Sequence, residues 1–230
     1  MQRLRGVILD VDGTLVNSND AHARSWMEAL AEHHIAVDFA QVRPLIGMGG
    51  DKLLPRLCGI SAESTQGVEI ATRRGELFRE RYLPQLKPFP KTRELVTRLI
   101  AAGLRPAVAS SAQEQELAQL LRIARVDNLM QGVSSASDTK HSKPDPDIVR
   151  AALQKLDVPA GAALMIGDTP YDVEAARKLG VGTIGLRCGG RSDSELAGAI
   201  AIYDDPADLL AGFVDSPLGR ATSPAARTPH

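Results

Sequence analysis

Six polar residues fall at the ends of predicted strands or in adjacent loops, and together they suit one kind of chemistry. Asp10 and Asp12 follow the β-branched, apolar run Gly6–Leu9, which reads as a buried strand of a parallel sheet. Ser110, with Ser111 after it, follows the apolar run 106–109. Lys143 lies in Ser142-Lys143-Pro144-Asp145-Pro146, and Asp168 and Asp172 lie in Gly167-Asp168-Thr169-Pro170-Tyr171-Asp172. Carboxylates buried at the end of a core strand are costly unless a cation or a reaction uses them. Ligands of open α/β sheets bind beyond the carboxyl ends of the strands, so all six residues are expected to meet there. Several carboxylates at one place repel one another unless a hard cation neutralises them, and oxygen ligands in this number suit Mg²⁺. Phosphoryl transfer needs such a set.

Two blocks of the chain have to position these residues. From 17 to 86 the pattern is helical, without a convincing strand. Ala23, Trp26, Met27 and Leu30 recur at helical spacing over 20–33. A short helix is predicted from 38 to 45, and the loop Gly47-Met48-Gly49-Gly50-Asp51-Lys52 leads into a Leu-rich helix through Leu57. A polar helix over 61–83 is stopped by Pro84. Beyond the Pro-containing stretch 84–90, strands are predicted at 105–109, 130–133, 162–166, 182–186 and, as an edge, 199–203. Helices at 91–102, 113–123, 145–156, 172–179 and 206–213 alternate with them. Alternating strands and helices imply an α/β fold with a doubly wound, Rossmann-like parallel sheet. The expected organisation is a core of residues 1–16 and 87–214 with a helical cap of residues 17–86 inserted after the first strand. Residues 215–230 carry Pro, Ala, Ser and Arg without periodicity and are expected to be a disordered tail.

Composition narrows the functional classes. The 230 residues are 43% hydrophobic and 24% charged, with a formal net charge of -1. This balance gives no case for nucleic acid or an anionic membrane as partner. No stretch of 18 apolar residues is present, and residues 1–9 lead into the first motif without the apolar region of a signal peptide. Cys58 and Cys188 lack metal-type spacing and are expected to be reduced thiols of a cytoplasmic protein. His33, His34, His141 and His230 show no metal-ligand spacing either.

The series Asp10-Val11-Asp12-Gly13-Thr14-Leu15, Ser110, Lys143 and Gly167-Asp168…Asp172 resembles the four motifs of the haloacid dehalogenase superfamily, in the same order and over about residues 5 to 212. The resemblance is to the phosphatase branch with a helical cap. Dehalogenases of the superfamily lack a carboxylate two residues after the nucleophile, and Asp12 supplies one here. The resemblance implies a phosphoric monoester hydrolase in which Asp10 is the nucleophile and Asp12 the acid and base. Ser110, Ser111 and Lys143 would hold the phosphoryl group. Asp10, Asp12 (through its main-chain carbonyl), Asp168 and Asp172 would surround Mg²⁺. The expected partner is a small phosphate ester, phosphoglycolate or a sugar phosphate, and the expected state is a monomer or homodimer. His22-Ala23-Arg24-Ser25-Trp26 resembles a segment of β-phosphoglucomutases, which leaves a phosphomutase as an alternative. Mutases place an arginine in the cap loop where Gly50 stands here. A third reading is a non-catalytic regulatory module. In the cap, His22, Gly49 and Lys52 are the candidates for substrate contact, and Lys52 is the one lysine a phosphonate-cleaving relative would use as a Schiff base.

Overall fold

A computed structural model describes residues 3–222. Among them, six strands form one all-parallel sheet in the order β3-β2-β1-β4-β5-β6. They are β1 (Gly6–Leu9), β2 (Arg105–Ala109), β3 (Gly132–Ser134), β4 (Ala163–Gly167), β5 (Gly182–Leu186) and β6 (Ala201–Tyr203). The order reverses between β1 and β4, and such a switch opens a crevice beyond the carboxyl ends of the strands. Leu9 pairs with Val108 on one side and Ile166 on the other, so the polar residues that follow all three strands emerge at one level.

Strand alternation splits the core in two. Val7, Leu9, Val108, Ile166 and Ile184 face α5 (Thr92–Ala101), α6 (Glu114–Ile123) and α9 (Pro206–Ala211). Ile8, Ala107, Ala109 and Met165 face α7 (Asp147–Leu156) and α8 (Pro170–Arg177). Between β1 and β2 lie α1 (Asn19–Glu32), α2 (Phe39–Val42), α3 (Gly50–Cys58) and α4 (Thr65–Leu77), which share a separate apolar cluster containing Trp26, Leu30, Leu53, Ile70 and Leu77. The chain leaves and re-enters the sheet layer side by side: Asn17 N donates to Lys87 O at 3.1 Å, and Phe89 N to Leu15 O at 3.0 Å. No helix among the described residues is long and apolar enough to cross a membrane.

One expectation about the fold fails within the described residues. The supposed tail from 215 onward continues as α10 (Pro217–Thr222), with Leu218 fully buried in the sheet-side core. Ser216 accepts from Gly219 N at 3.2 Å, the arrangement of a helix N-cap followed by proline. The helix is too short for a periodic signal, so composition alone hid it. Residues 223–230 lie outside the described residues. Leu218→Ala is expected to cost about 2–4 kcal/mol in urea unfolding, whereas a loose tail would show no change.

Candidate active site

The turn after β1 is tight. Leu15 N and Val16 N both donate to Val11 O, and Gly13 N donates to Val16 O. Gly13 has φ +79°, and a Cβ there would overlap the Asn19 amide and the Asp168 carboxylate. Glycine is therefore required both for the backbone and for the closeness of Asp168.

Asp10, Asp168 and Asp172 are buried together, each offering an oxygen within 4.8 Å of the others'. Lys143, only 1% exposed, sits between two of them, its Nζ 2.6 Å from Asp10 Oδ1 and 2.6 Å from Asp172 Oδ1. Asp172 also accepts from Thr169 N at 3.0 Å and Thr169 Oγ1 at 2.6 Å, closing the capping box of α8. Its role as first-turn charge and its role at the site are thus one arrangement. Asp168 accepts from Thr14 Oγ1 and Asn19 Nδ2, each at 2.9 Å.

One ammonium cannot neutralise three carboxylates, and the proton affinities of Asp168 and Asp10 register the excess. Burial, joined by Asp172, pushes Asp168 up to about 6 despite the bonds from Asn19 and Thr14. Burial likewise raises Asp10 well above the carboxylate range, with Lys143 opposing and Asp172 and Asp168 reinforcing. Burial alone would lower Lys143, yet Asp10 and Asp172 more than reverse this and hold it charged. Surplus negative charge on buried oxygen donors fits a hard divalent cation such as Mg²⁺.

Asp12 belongs to a different set. Its carboxylate accepts from Ser18 Oγ at 2.5 Å and lies 2.7 Å from His22 Nε2. Burial pushes this carboxyl up, but His22 and Ser18 outweigh it and hold Asp12 below its usual range. His22 stacks on Phe78 with ring centroids 4.1 Å apart. Its Nδ1 accepts from Arg74 Nη2 at 2.5 Å, and Arg74 Nη1 reaches Glu116 Oε2 at 3.0 Å. This chain joins α1 and α4 to α6.

A cavity of about 130 Å³ collects these groups, with Asp10, Asp12 and Lys143 on one side and His22, Trp26 and Arg74 among the others. Gly49 and Ser111 line it too. Ser110 is buried beside an adjoining cavity of about 240 Å³, and its Oγ accepts from Ala112 N at 3.1 Å. Lys52 is the exception among the expected residues. The course of α3 carries it to the 142–146 loop, where its Nζ pairs with Asp145 at 2.7 Å, away from the cavity lining. Its ammonium is engaged by Asp145 and not directed at Asp10. Arg74 and Glu116 carry no motif. They read as ordinary charges on polar helix faces, and only the docking of α4 against α6 reveals them. Thr14 and Asn19 were within the first motif and its linker, where nothing marks them as partners of Asp168.

The model of the haloacid dehalogenase-like hydrolase family matches residues 7–186. The chain therefore belongs to that family, and it is a hydrolase. A phosphoglycolate phosphatase of Rhodospirillum rubrum is 31% identical over 214 residues, covering 89% of each chain. A pyrophosphatase, PpaX, of Bacillus velezensis is 27% identical over 187 residues, covering 80% of this chain and 84% of its own. The crystal structure of a hydrolase from Pseudomonas syringae superposes with a TM-score of 0.85 at 31% identity, covering 92% of this chain and 98% of that one.

A group whose folded pKa is raised stabilises below its unfolded value and loses that contribution as pH rises through the folded value. For Asp168, raised by burial from an ordinary 3.8 to about 6 in the folded protein, the metal-free protein is expected to lose up to about 3 kcal/mol between about pH 4 and pH 6. Denaturant melts in EDTA check this. Millimolar Mg²⁺ is expected to restore the loss at pH 7 and to do little at pH 4.

Proposed function

We propose that the protein is a Mg²⁺-dependent phosphatase that hydrolyses a small phosphorylated metabolite through an aspartyl-phosphate at Asp10. The observation that carries this reading is Asp10 at the cavity, paired with Lys143 at 2.6 Å and clustered with Asp168 and Asp172. Lys143 and Ser111 receive the phosphoryl oxygens, joined by Ser110, whose hydroxyl hydrogen is left to donate. An oxygen of Asp10 attacks phosphorus as the ester P–O bond breaks, and Asp12 gives its proton to the departing alkoxide. Asp12 then takes a proton from water, whose oxygen attacks the acyl phosphate. Inorganic phosphate leaves and the Asp10 carboxylate is restored.

His22 and Ser18 hold Asp12 in the carboxylate form that the second half needs. A phosphate dianion beside it raises its proton affinity and supplies the acid form for the first half. Asp10 and Asp168, with the main-chain carbonyl of Asp12 and with Asp172 completing the cluster, would hold the Mg²⁺. When bound, the ion screens the phosphate charge and stabilises charge on the transferring group. The helices from 19 to 85 act as a cap that keeps macromolecules and bulk water from the cavity. We take the site of action to be the cytoplasm.

The substrate class is phosphoglycolate or a sugar phosphate. A relative named for phosphoglycolate supports the former, and Trp26 in the cavity lining the latter. The contact of His22 with Asp12 favours a phosphomutase as second reading, but Gly50 brings no cation to grip a second phosphate. Phosphate release from a panel of small esters, with Mg²⁺ and with EDTA, tests the reading. Metal-dependent release that falls by roughly 10³-fold or more in Asp10→Asn is expected; release unaffected by that change would overturn it.

A further inference from the structure

Resting on the phosphatase reading, we propose that the Arg74–Glu116 pair makes the cavity select one class of monoester. That class has an uncharged, hydroxylated alcohol part, of the sugar or polyol kind, and no second anion. The cavity lining contains two cationic side chains of lysine or arginine, Lys143 and Arg74. Lys143 is held by Asp10 and Asp172. Arg74 is engaged through both Nη atoms: Nη1 lies 3.0 and 3.3 Å from the two Glu116 oxygens and Nη2 donates to His22, while its buried Nε has no partner among the described residues.

Glu116 is 2% exposed and its small accessible part lines the cavity, so a bound leaving group would meet its charge there. A carboxylate or second phosphate on the leaving group would have to approach Arg74 and would meet Glu116 beside it. The two like charges would then share one guanidinium in a site largely shielded from water. A hydroxyl meets no such conflict, because it donates to the carboxylate and accepts from the guanidinium. A site built to bind an anion leaves its arginine for the ligand; this one supplies the anion from its own α6.

Two further lining residues suit a carbohydrate. Trp26, 5% exposed and with the Arg74 guanidinium 5.5 Å from its ring centroid, brings part of an aromatic ring to the lining, an apolar surface for the C–H groups of a sugar. Gly50 keeps that wall clear, since a Cβ there would stand 3.2 Å from Trp26 Cη2. Gln113, at the start of α6, adds an amide that donates and accepts.

Size-matched pairs of esters test the proposal: 2-hydroxyethyl phosphate against 2-phosphoglycolate, and glycerol 3-phosphate against 3-phosphoglycerate. Within each pair the wild-type enzyme with Mg²⁺ is expected to favour the uncharged member by about 10-fold or more in kcat/KM. Glu116→Gln keeps the shape and removes the charge, and it is expected to shrink that ratio by about 10-fold. Thermal melting of the variant runs alongside, and the wild-type ratio stands alone if the variant does not fold. Equal or preferential turnover of the anionic members by the wild type would overturn the proposal and leave the phosphatase reading intact. A variant that changes both members of each pair equally would also overturn it, making the pair a clasp between α4 and α6. No release from any ester, p-nitrophenyl phosphate included, would sink the phosphatase reading as well.

Discussion

Lys143 stands between Asp10 and Asp172, almost wholly out of water, and holds together carboxylates that the fold forces into one place. The parallel sheet delivers Asp10 and Asp168 from adjacent strands, β1 and β4, and the capping box of α8 delivers Asp172 one turn later. Without the ammonium, three buried negative charges would face each other across a few ångströms. Removing one member of a buried ion pair costs about 3–5 kcal/mol, because its partner is left charged and unsolvated. Even with Lys143 in place the charge does not balance, and the raised proton affinities of Asp10 and Asp168 are the remainder. The stability of the sheet edge and the appetite of the site for a cation have the same origin.

Asp12 is kept out of this conflict. It sits two residues from Asp10 in the chain, but the turn at Gly13 sends its carboxylate towards Ser18 and His22. Two carboxylates from one strand end thus acquire opposite shifts, Asp10 upward and Asp12 downward. Pairs of titratable groups whose surroundings separate them in this way divide a reaction between two roles. The network continues from His22 through Arg74 to Glu116, so the surroundings of Asp12 depend on how the inserted helices dock on α6.

The sheet was legible because its strands are short apolar runs that end in polar residues, and this pattern survives without any knowledge of packing. The core of the candidate site was legible in two ways: Asp10, Asp12 and Asp168 follow from the strand ends, while Lys143, in a loop, and Asp172, in the first turn of α8, follow from their place in the motif series. The cap side was less so. Helical periodicity assigns a face to Arg74, Glu116 and Lys52 but not the neighbour which that face meets. Arg74 and Glu116 are 42 positions apart and meet at 3.0 Å, while Lys52 turns instead to Asp145. The helix at Pro217–Thr222 was missed because a six-residue element is held by one cap and one buried leucine, and neither produces a period.

The most direct measurement is a rapid acid quench of the enzyme turning over a phosphate ester labelled at phosphorus, followed by mapping of the labelled peptide. The account predicts label on the peptide containing Asp10, present in wild type and absent from Asp10→Asn. Release of phosphate with no labelled protein at any quench time, or label on a residue other than Asp10, would contradict it.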